Sequence, residues 1–296
     1  MDLRVMRNFL KIAETENITQ ASRELNVAQP HLTRQVKALE EELGVLLFQR
    51  DKKRLHITEE GIFLKQQIEQ ILKLVEKTER QVKEMQSEIS GTLFLGSIET
   101  IGESVLPEWI AEFKEKFPEI KYNIWSANSK DVVERLSKGL LDLAVVREPI
   151  DESKFNFVHL ATENWSAFFS KNHILSQKSG DTISLQELAK EELMVPPERV
   201  EEVEKWFKDS NLKANIKCAF SPMSIGLRLL SKNLGVVILP KSAGEFVDKT
   251  EIIVKELSDR KPSGISLIWK KGYELSLAAK NFILFLEQRY KSQPGR

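Results

Sequence analysis

Apolar residues recur at three- and four-residue spacing in the first part of the chain and predict three short helices. The first covers about residues 3–14, and the second ends at a tight break at residues 25–27. The third begins near Gln29 and Pro30, where proline costs little because the first N–H groups of a helix lack intrahelical partners. Its inward stripe is predicted to contain Leu32, Val36, Leu39 and Leu43. The pattern predicts a helix-turn-helix at about residues 18–37.

A basic loop follows the third helix. It is preceded by three apolar residues that are predicted to pack inward, Leu46, Leu47 and Phe48. The loop carries a cluster of cations, Arg50, Lys52, Lys53 and Arg54, and leads into a predicted strand at residues 55–58. A strand pair with a cationic tip beside a recognition helix suits the phosphates or the flanking minor groove. Residues 1–58 are therefore predicted to form a winged helix-turn-helix that binds double-stranded DNA.

The outer face of the third helix carries the side chains that we expect to contact DNA. Arg34 suits a guanine edge or a phosphate, and Thr33 suits a base or the backbone. Three glutamates at residues 40–42 would be repelled by phosphate, so the N-terminal half of the helix should enter the groove. Thr19 is expected to cap the second helix. The predicted DNA contacts are Thr19, Gln29, Pro30, His31, Thr33, Arg34, Lys37, Arg50, Lys52 and Arg54. The alternative is a surface helix with solvated charges.

Short motifs follow one another in a fixed order through this segment. They are Phe9, Ala21, Gln29-Pro30, Thr33-Arg34, Leu39-Glu40, Leu43-Gly44, Leu47-Phe48-Gln49-Arg50 and Ile57-Thr58-Glu59-Glu60-Gly61. On these residues the segment resembles the N-terminal domain of LysR-type transcriptional regulators. Ser22, Ala28 and Ile57 depart from the alanine, serine and leucine that are common in that pattern. The resemblance implies a transcription factor and not an enzyme.

A long helix is predicted at residues 59–90 as a linker to the rest of the chain. Leu64, Ile68, Ile71, Val75, Thr78, Val82, Met85 and Ile89 alternate at spacings of four and three. Such a heptad seam on a solvated helix usually finds a partner helix, so it predicts a homodimer. The predicted dimerisation residues are Leu64, Ile68, Ile71, Val75, Val82 and Met85. The alternative is one long helix that packs on its own domain.

From residue 92 the pattern changes to alternating strands and helices. Strands are predicted at about residues 92–97, 120–126 and 141–146, with helices at 103–117 and 130–138. A second set follows at 165–257, and a last helix at 277–290. This alternation predicts an α/β fold with a parallel sheet and helices on both faces.

Ligands of open α/β sheets bind beyond the carboxyl ends of the strands. Hydroxyls and free amides at the helix N-termini that follow suit an anionic ligand, although Glu99 favours a ligand that also carries a donor or a cation. Arg199 and Lys241 are weaker candidates than Arg147. The predicted effector-binding residues are Ser97, Glu99, Thr100, Arg147, Arg199, Ser221 and Met223. For any one of them the alternative is a solvated or structural role.

This half resembles the effector-binding domain of the same family, which is similar to periplasmic solute-binding proteins. The resemblance is carried by residues 139–145 and 234–240. It implies a lobe I at residues 91–161 and 267–296 and a lobe II at residues 162–266, with an unidentified small-molecule effector between them. It also implies a homodimer or dimer of dimers on an interrupted inverted repeat, in contact with RNA polymerase. Ligand identity does not transfer.

Composition narrows the remaining possibilities. Lys plus Arg and Asp plus Glu both number 44, so the basic residues act locally and not through the net charge. A single cysteine, Cys218, excludes an intramolecular disulfide and fits a reducing compartment. Without a secretory signal or an apolar segment of bilayer length, the protein is expected in the cytoplasm, with no membrane partner. No histidine pair has metal-ligand spacing, and no phosphate loop or nucleophile elbow is present, so neither metal nor cofactor is expected. Two rival classes stay open, a cytosolic sensor or enzyme and a nonspecific architectural DNA binder.

Overall fold

The computed structural model describes residues 1–51, 54–84, 90–259 and 261–291. The chain divides into two compact units, Met1–Gln86 and Ser87–Arg296. Across the described ranges, no helix is both long and apolar enough to cross a membrane.

The N-terminal unit contains four helices and a two-stranded hairpin within the described residues. These elements are α1 (Leu3–Thr15), α2 (Ile18–Glu24), α3 (Gln29–Leu43), β1 (Phe48–Asp51), β2 (Arg54–Ile57) and α4 (Glu59–Glu84). Side chains from several elements meet in one core, whose fully buried members include Phe9, Ile12, Leu32, Leu47 and Ile68. The two strands pair antiparallel, with Phe48 opposite Ile57, as expected of a wing.

Three local predictions for this unit are wrong. Asn17 and not Thr19 caps α2, because the Asn17 side chain accepts hydrogen bonds from the backbone N–H groups of Thr19 and Gln20. Leu43 is 43% exposed because α3 ends there and Gly44 turns the chain with φ of 72°. Leu46 is 61% exposed, since it lies in the loop before β1 and only Leu47 and Phe48 enter the core.

The linker helix α4 has two kinds of apolar position. Ile68 and Leu72 are buried in the core of the N-terminal unit, and Leu64 packs against that core. Ile68 therefore packs in the core of its own unit, and its prediction as a dimer contact is wrong. By contrast, Ile71 is 38% exposed and Val82 is 60% exposed. Met85 and Ile89 lie outside the described residues.

The C-terminal unit has a long mixed sheet. Its first part contains β3 (Gly91–Ile98), α5 (Glu99–Glu103), α6 (Leu106–Lys116), β4 (Ile120–Ala127), α7 (Ser129–Ser137), β5 (Leu143–Arg147) and β6 (Phe155–Ser170). The second part contains β7 (Thr182–Ile183), α8 (Leu185–Leu188), β8 (Leu193–Val195), α9 (Val200–Asp209), β9 (Ile216–Ala219), α10 (Met223–Leu230), β10 (Val236–Pro240) and β11 (Ile252–Leu257). The chain returns through β12 (Pro262–Lys270) and finishes in α11 (Leu277–Lys291).

The strand order β4-β3-β5-β12-β6-β10-β8-β9 divides this unit into two lobes. Pairing is parallel for β3 with β4 and β5, and for β8 with β9 and β10, as predicted. The strands β6 and β12 run antiparallel to their neighbours, so the sheet is mixed and not purely parallel. The physical reason is that β6 carries the chain out of lobe I and β12 carries it back. Pairing of β12 with β5 begins at Ile265.

Candidate DNA-binding face and effector cleft

The outer face of α3 holds side chains with few intramolecular partners. Gln29, Pro30, Arg34 and Lys37 are exposed. The Arg34 Nε atom lies 3.4 Å from the Pro30 carbonyl oxygen, which is a weak contact. Lys37 has no hydrogen bond or ion pair within the described part of the chain. These cations are therefore available to an external anion.

Thr33 and His31 are half-buried at the margin of this face. The Thr33 hydroxyl donates to the Gln29 carbonyl at 3.1 Å, so it is bonded back to its own helix. The His31 Nε2 atom lies 3.1 Å from a guanidinium nitrogen of Arg4 in α1. Arg4 thus adds a cation beside α3, and sequence reasoning missed it because the two residues are brought together only by helix packing.

A carboxylate on α3 fixes the start of the wing. The Glu40 Oε1 atom accepts hydrogen bonds from the backbone N–H groups of Leu47 at 2.8 Å and Phe48 at 3.2 Å. Glu40 therefore orders the loop that leads into β1. Arg50 and Arg54 lie on β1 and β2, in register opposite Leu55 and Asp51. Lys52 and Lys53 lie outside the described residues.

A tight contact fixes the start of α4. Thr58 precedes α4; its hydroxyl donates to the Leu46 carbonyl at 2.8 Å and accepts from the Gly61 N–H at 3.0 Å. A Cβ atom on Gly61 would lie 2.3 Å from the Leu47 carbonyl oxygen, so only glycine fits there. The Thr58-to-Gly61 motif thus holds the linker helix against the wing.

The two lobes of the C-terminal unit enclose a cleft of about 560 Å³ including its open mouth. Six of the seven predicted effector residues line it, namely Glu99, Thr100, Arg147, Arg199, Ser221 and Met223. Ser97 does not, because it is fully buried and its hydroxyl donates to the Ile98 carbonyl at 3.1 Å. Sequence reasoning missed several lining residues, among them Asn128, Ser129, Trp165, Glu198, Phe220 and Leu239.

Arg147 lies at the base of this cleft and is held by both lobes. Its guanidinium donates to Glu163 at 2.7 Å, and to the hydroxyls of Thr100 and Ser263 at 3.3 Å each. Glu163 in turn accepts from the N–H and the hydroxyl of Ser242 at 2.7 and 3.0 Å. Burial lowers the pKa of the Arg147 guanidinium, and the charge of Glu163 acts in the opposite direction. The ion pair of Arg147 with Glu163 and its hydrogen bonds therefore connect lobe I to lobe II.

Aromatic and acidic groups complete the cleft. The buried Trp165 ring has the guanidinium carbons of Arg147 and Arg199 at 6.0 and 5.7 Å from its centroid. Arg199 also donates to Glu202 at 2.8 Å. Across the cleft, the Glu99 carboxylate of lobe I accepts the N–H of Met223, the first residue of α10 in lobe II, at 2.9 Å. Such a contact suits an anion at a helix N-terminus.

No group of three or more His, Cys, Asp or Glu side chains in the described ranges could hold a metal ion. Cys218 is partly exposed, and its thiol contacts the Ala219 carbonyl. The two candidate sites are thus the exposed face of α3 in one unit and the cleft between the lobes in the other.

Two family models match the chain. The model of bacterial regulatory helix-turn-helix proteins of the lysR family matches residues 3–62, and the LysR substrate binding domain matches residues 86–291, more than half of the chain. The chain belongs to the LysR family of transcriptional regulators. This LysR-family protein is a DNA-binding regulator with a substrate-binding domain, and the expectation that it is not an enzyme is confirmed by its relatives.

Curated relatives align with this LysR-family regulator over most of their length. The HTH-type transcriptional regulator BsdA of Bacillus subtilis is 32% identical over 246 residues, which cover 81% of this chain and 84% of BsdA. The Hca operon transcriptional activator HcaR of Escherichia coli is 24% identical over 296 residues, which cover 99% of each chain.

Solved structures of LysR-family regulators share the fold. CbnR superposes with a TM-score of 0.78 at 22% identity, covering 98% of this chain and 99% of that one. Full-length BenM superposes with a TM-score of 0.59 at 24% identity, and the match covers 99% of this chain and 97% of BenM. The predicted family and fold class are confirmed. The boundaries of the domains and the roles of individual site residues stay predictions.

Proposed function

We propose that this regulator binds an interrupted inverted repeat in duplex DNA as a homodimer or a dimer of dimers. The observation that carries the proposal is the exposed face of α3, where Arg34 and Lys37 lack strong intramolecular partners. Arg34 would read a guanine edge or hold a phosphate, and the basic wing would contact the flanking backbone. A structure of full-length CbnR has been solved with its target DNA, which supports this use of the fold.

Dimerisation is proposed to use the exposed apolar side of α4. Ile71 and Val82 remain exposed and Val75 partly exposed, whereas Ile68 is already buried in its own unit. Pairing of two α4 helices would bury this side and present two recognition helices to one DNA site. Symmetric half-sites would then match the symmetry of the protein.

The inter-lobe cleft is proposed to bind the small-molecule effector that controls transcription. Its lining combines apolar walls with a few convergent polar groups, as ligand sites usually do. An effector can shift the regulator between two arrangements only by binding one of them more tightly. We further propose that the regulator works in the cytoplasm and contacts RNA polymerase at the promoter.

Selection of DNA from a random duplex library by the full chain tests the DNA proposal. We expect enrichment of an inverted repeat, a footprint limited to it, and affinity that falls steeply with salt as phosphate contacts release counterions. Enrichment of no sequence would indicate a nonspecific architectural binder. Absence of any salt-dependent binding would contradict the proposal and favour a sensor whose N-terminal helices contact protein.

A further inference from the structure

Both arginines of the cleft are already paired with carboxylates of the protein. Arg147 is ion-paired with Glu163 at 2.7 Å, and Arg199 with Glu202 at 2.8 Å. Neither Glu163 nor Glu202 is part of the cleft lining, so each guanidinium is compensated from behind. Arg147, whose ion pair is buried, therefore brings little net positive charge to a ligand.

Two carboxylates in the lining have no such compensation. Glu99 is half-buried, and its hydrogen bond to the Met223 N–H uses only Oε2. Within the described ranges, no lysine, arginine or histidine lies within ion-pair distance of Glu99. Glu198 is the other acidic residue of the lining and is exposed. The Met223 N–H bonds to one oxygen of Glu99 but leaves the carboxylate without a counter-ion, and a ligand cation would supply one.

The remaining walls define the rest of such a ligand. Phe220, Leu239 and the Trp165 ring offer apolar surface, and a tryptophan face also tolerates a cation. Arg199 keeps donors beyond its single bond to Glu202, whose side chain is 39% exposed and so pairs weakly. Arg199 can therefore donate to an acceptor on the same ligand.

From this geometry we infer that the effector carries a protonated primary amine, which Glu99 binds, on an apolar body. Apolar α-amino acids are the class that satisfies Glu99 and Arg199 together. Glu99 is then the residue that selects amines over plain carboxylic acids. The inference rests on the effector cleft of the proposed function and names the chemistry of its ligand.

Matched probes that differ in one group test the inference on the full chain. L-leucine and L-phenylalanine carry both groups, 4-methylpentanoate and 3-phenylpropanoate lack the amine, and 3-methylbutylamine and 2-phenylethylamine lack the carboxylate. In calorimetric titrations we expect at least one amino acid to bind, and its matched acid to bind about tenfold more weakly or not at all. Equal or tighter binding of the acids, or failure of every amine-bearing probe at millimolar concentration, overturns the inference.

A variant locates the selection at Glu99. Glu99→Gln keeps an oxygen for the Met223 N–H but loses the charge, so the amino acid should lose about tenfold in affinity. Glu198→Gln removes the same charge at an exposed position of the same cleft and should change affinity by less than about twofold. Equal effects of the two substitutions would contradict a specific role for Glu99. If Glu99→Gln does not fold, the probe comparison in the unmodified chain still decides.

The two proposals fail separately. Enrichment of an inverted repeat together with no amine binding would leave the DNA proposal standing and remove only the ligand class. Amine binding without DNA selection would do the reverse. An amine that binds but leaves the affinity for the selected DNA and its footprint unchanged would identify a ligand of the cleft that is not an effector, and would overturn the inference.

Discussion

Arg34 and Arg147 occupy opposite situations in the same chain. Arg34 is exposed on α3, with one weak contact to the Pro30 carbonyl. Arg147 is buried and donates to three side chains. One of them, Glu163, is also its ion-pair partner. The comparison shows two uses of an arginine. Arg34 is available to an external partner, whereas Arg147 is bonded within the protein and connects the two lobes.

The largest expected effect is on the stability of the C-terminal unit. Arg147→Ala would leave Glu163 nearly buried without its cation, which costs about 3–5 kcal/mol. We expect urea unfolding of the full chain, followed by tryptophan fluorescence, to show a less stable C-terminal unit. Loss of ligand binding in this variant would therefore not by itself identify Arg147 as a ligand contact.

The double variant Arg147→Ala/Glu163→Ala provides the control. It removes both charges together, so it should be more stable than Arg147→Ala alone. The single variant Glu163→Ala completes the comparison. If the loss in unfolding free energy of the double variant equals the sum of the losses of the two single variants, the ion pair does not couple the lobes. The contrast with Arg34 would then be one of exposure only.

The next largest effect is expected on self-association. Ile71→Asp with Val75→Asp should weaken dimerisation at least about a hundredfold, or about 2.7 kcal/mol, because two carboxylates would be buried in the seam. Sedimentation velocity should show monomers whose N-terminal unit stays folded. Ile68→Asp is the matched comparison and should unfold that unit, since Ile68 is fully buried there. An unchanged sedimentation profile of the double variant would contradict the predicted seam.

A smaller effect is expected on DNA affinity. Arg34→Ala should cost about 1–3 kcal/mol on the selected duplex at fixed salt, with stability changed by less than about 0.5 kcal/mol. Thr33→Ala should reduce mainly the discrimination between the selected site and its variants. Gel shifts with the selected and scrambled duplexes measure both. If neither substitution changes binding, the recognition helix is not the one proposed.

The smallest effect is expected on the stability that Glu187, a hydrogen-bonded carboxylate of lobe II, contributes. The hydrogen bond from Lys178, and next those from Ser184, lower the pKa of Glu187 to about 2. Ser184 and Glu187 form a reciprocal cap at the start of α8, so Ser184→Ala should cost about 1 kcal/mol. Because Lys178 is half exposed, solvent screening reduces what its ion pair with Glu187 contributes to stability.

The sign of the pH dependence follows from that lowered pKa. Because the pKa of Glu187 is lower in the folded state than its ordinary value of 4.5, its contribution is complete above about pH 4.5. The contribution is lost as the pH falls from there toward 2. Melting temperatures of Glu187→Gln and the parent chain should thus differ at pH 7 and converge as the pH approaches about 2. Glu119→Gln, at an exposed position, is the control. A difference that is independent of pH would contradict the assignment.

Periodicity predicted what depends on neighbours along the chain. The α3 stripe of Leu32, Val36 and Leu39 is buried as expected, and most strands and helices lie close to their predicted positions. Ser97 was misassigned because β3 is buried on both faces, so the Ser97 hydroxyl lies inside the lobe and bonds to the Ile98 carbonyl. Asn128 could have been found, since it follows the end of β4 as Glu99 follows β3.

Contacts between distant residues left no signal in a single sequence. Glu163 meets Ser242 across 79 positions, and Arg4 meets His31 across 27. Such pairs depend on the packing of helices or the crossing of lobes, which local pattern does not encode. The ion pairs of both cleft arginines therefore emerged only from the structure, whereas Glu99 had already indicated from the sequence a ligand with a donor or a cation.

Both passages between the lobes run through one pair of strands. Asn164 of β6 lies opposite Pro262 of β12, so the chain leaves and re-enters lobe I at the same point of the sheet. Lobe II is in this sense a cassette inserted into a hairpin. A two-residue turn in its place would close that hairpin and leave the order β4-β3-β5-β12-β6 intact. Half of the cleft wall is thus exchangeable as a unit, and new ligand specificities can be grafted without rebuilding the part of the sheet that lies in lobe I.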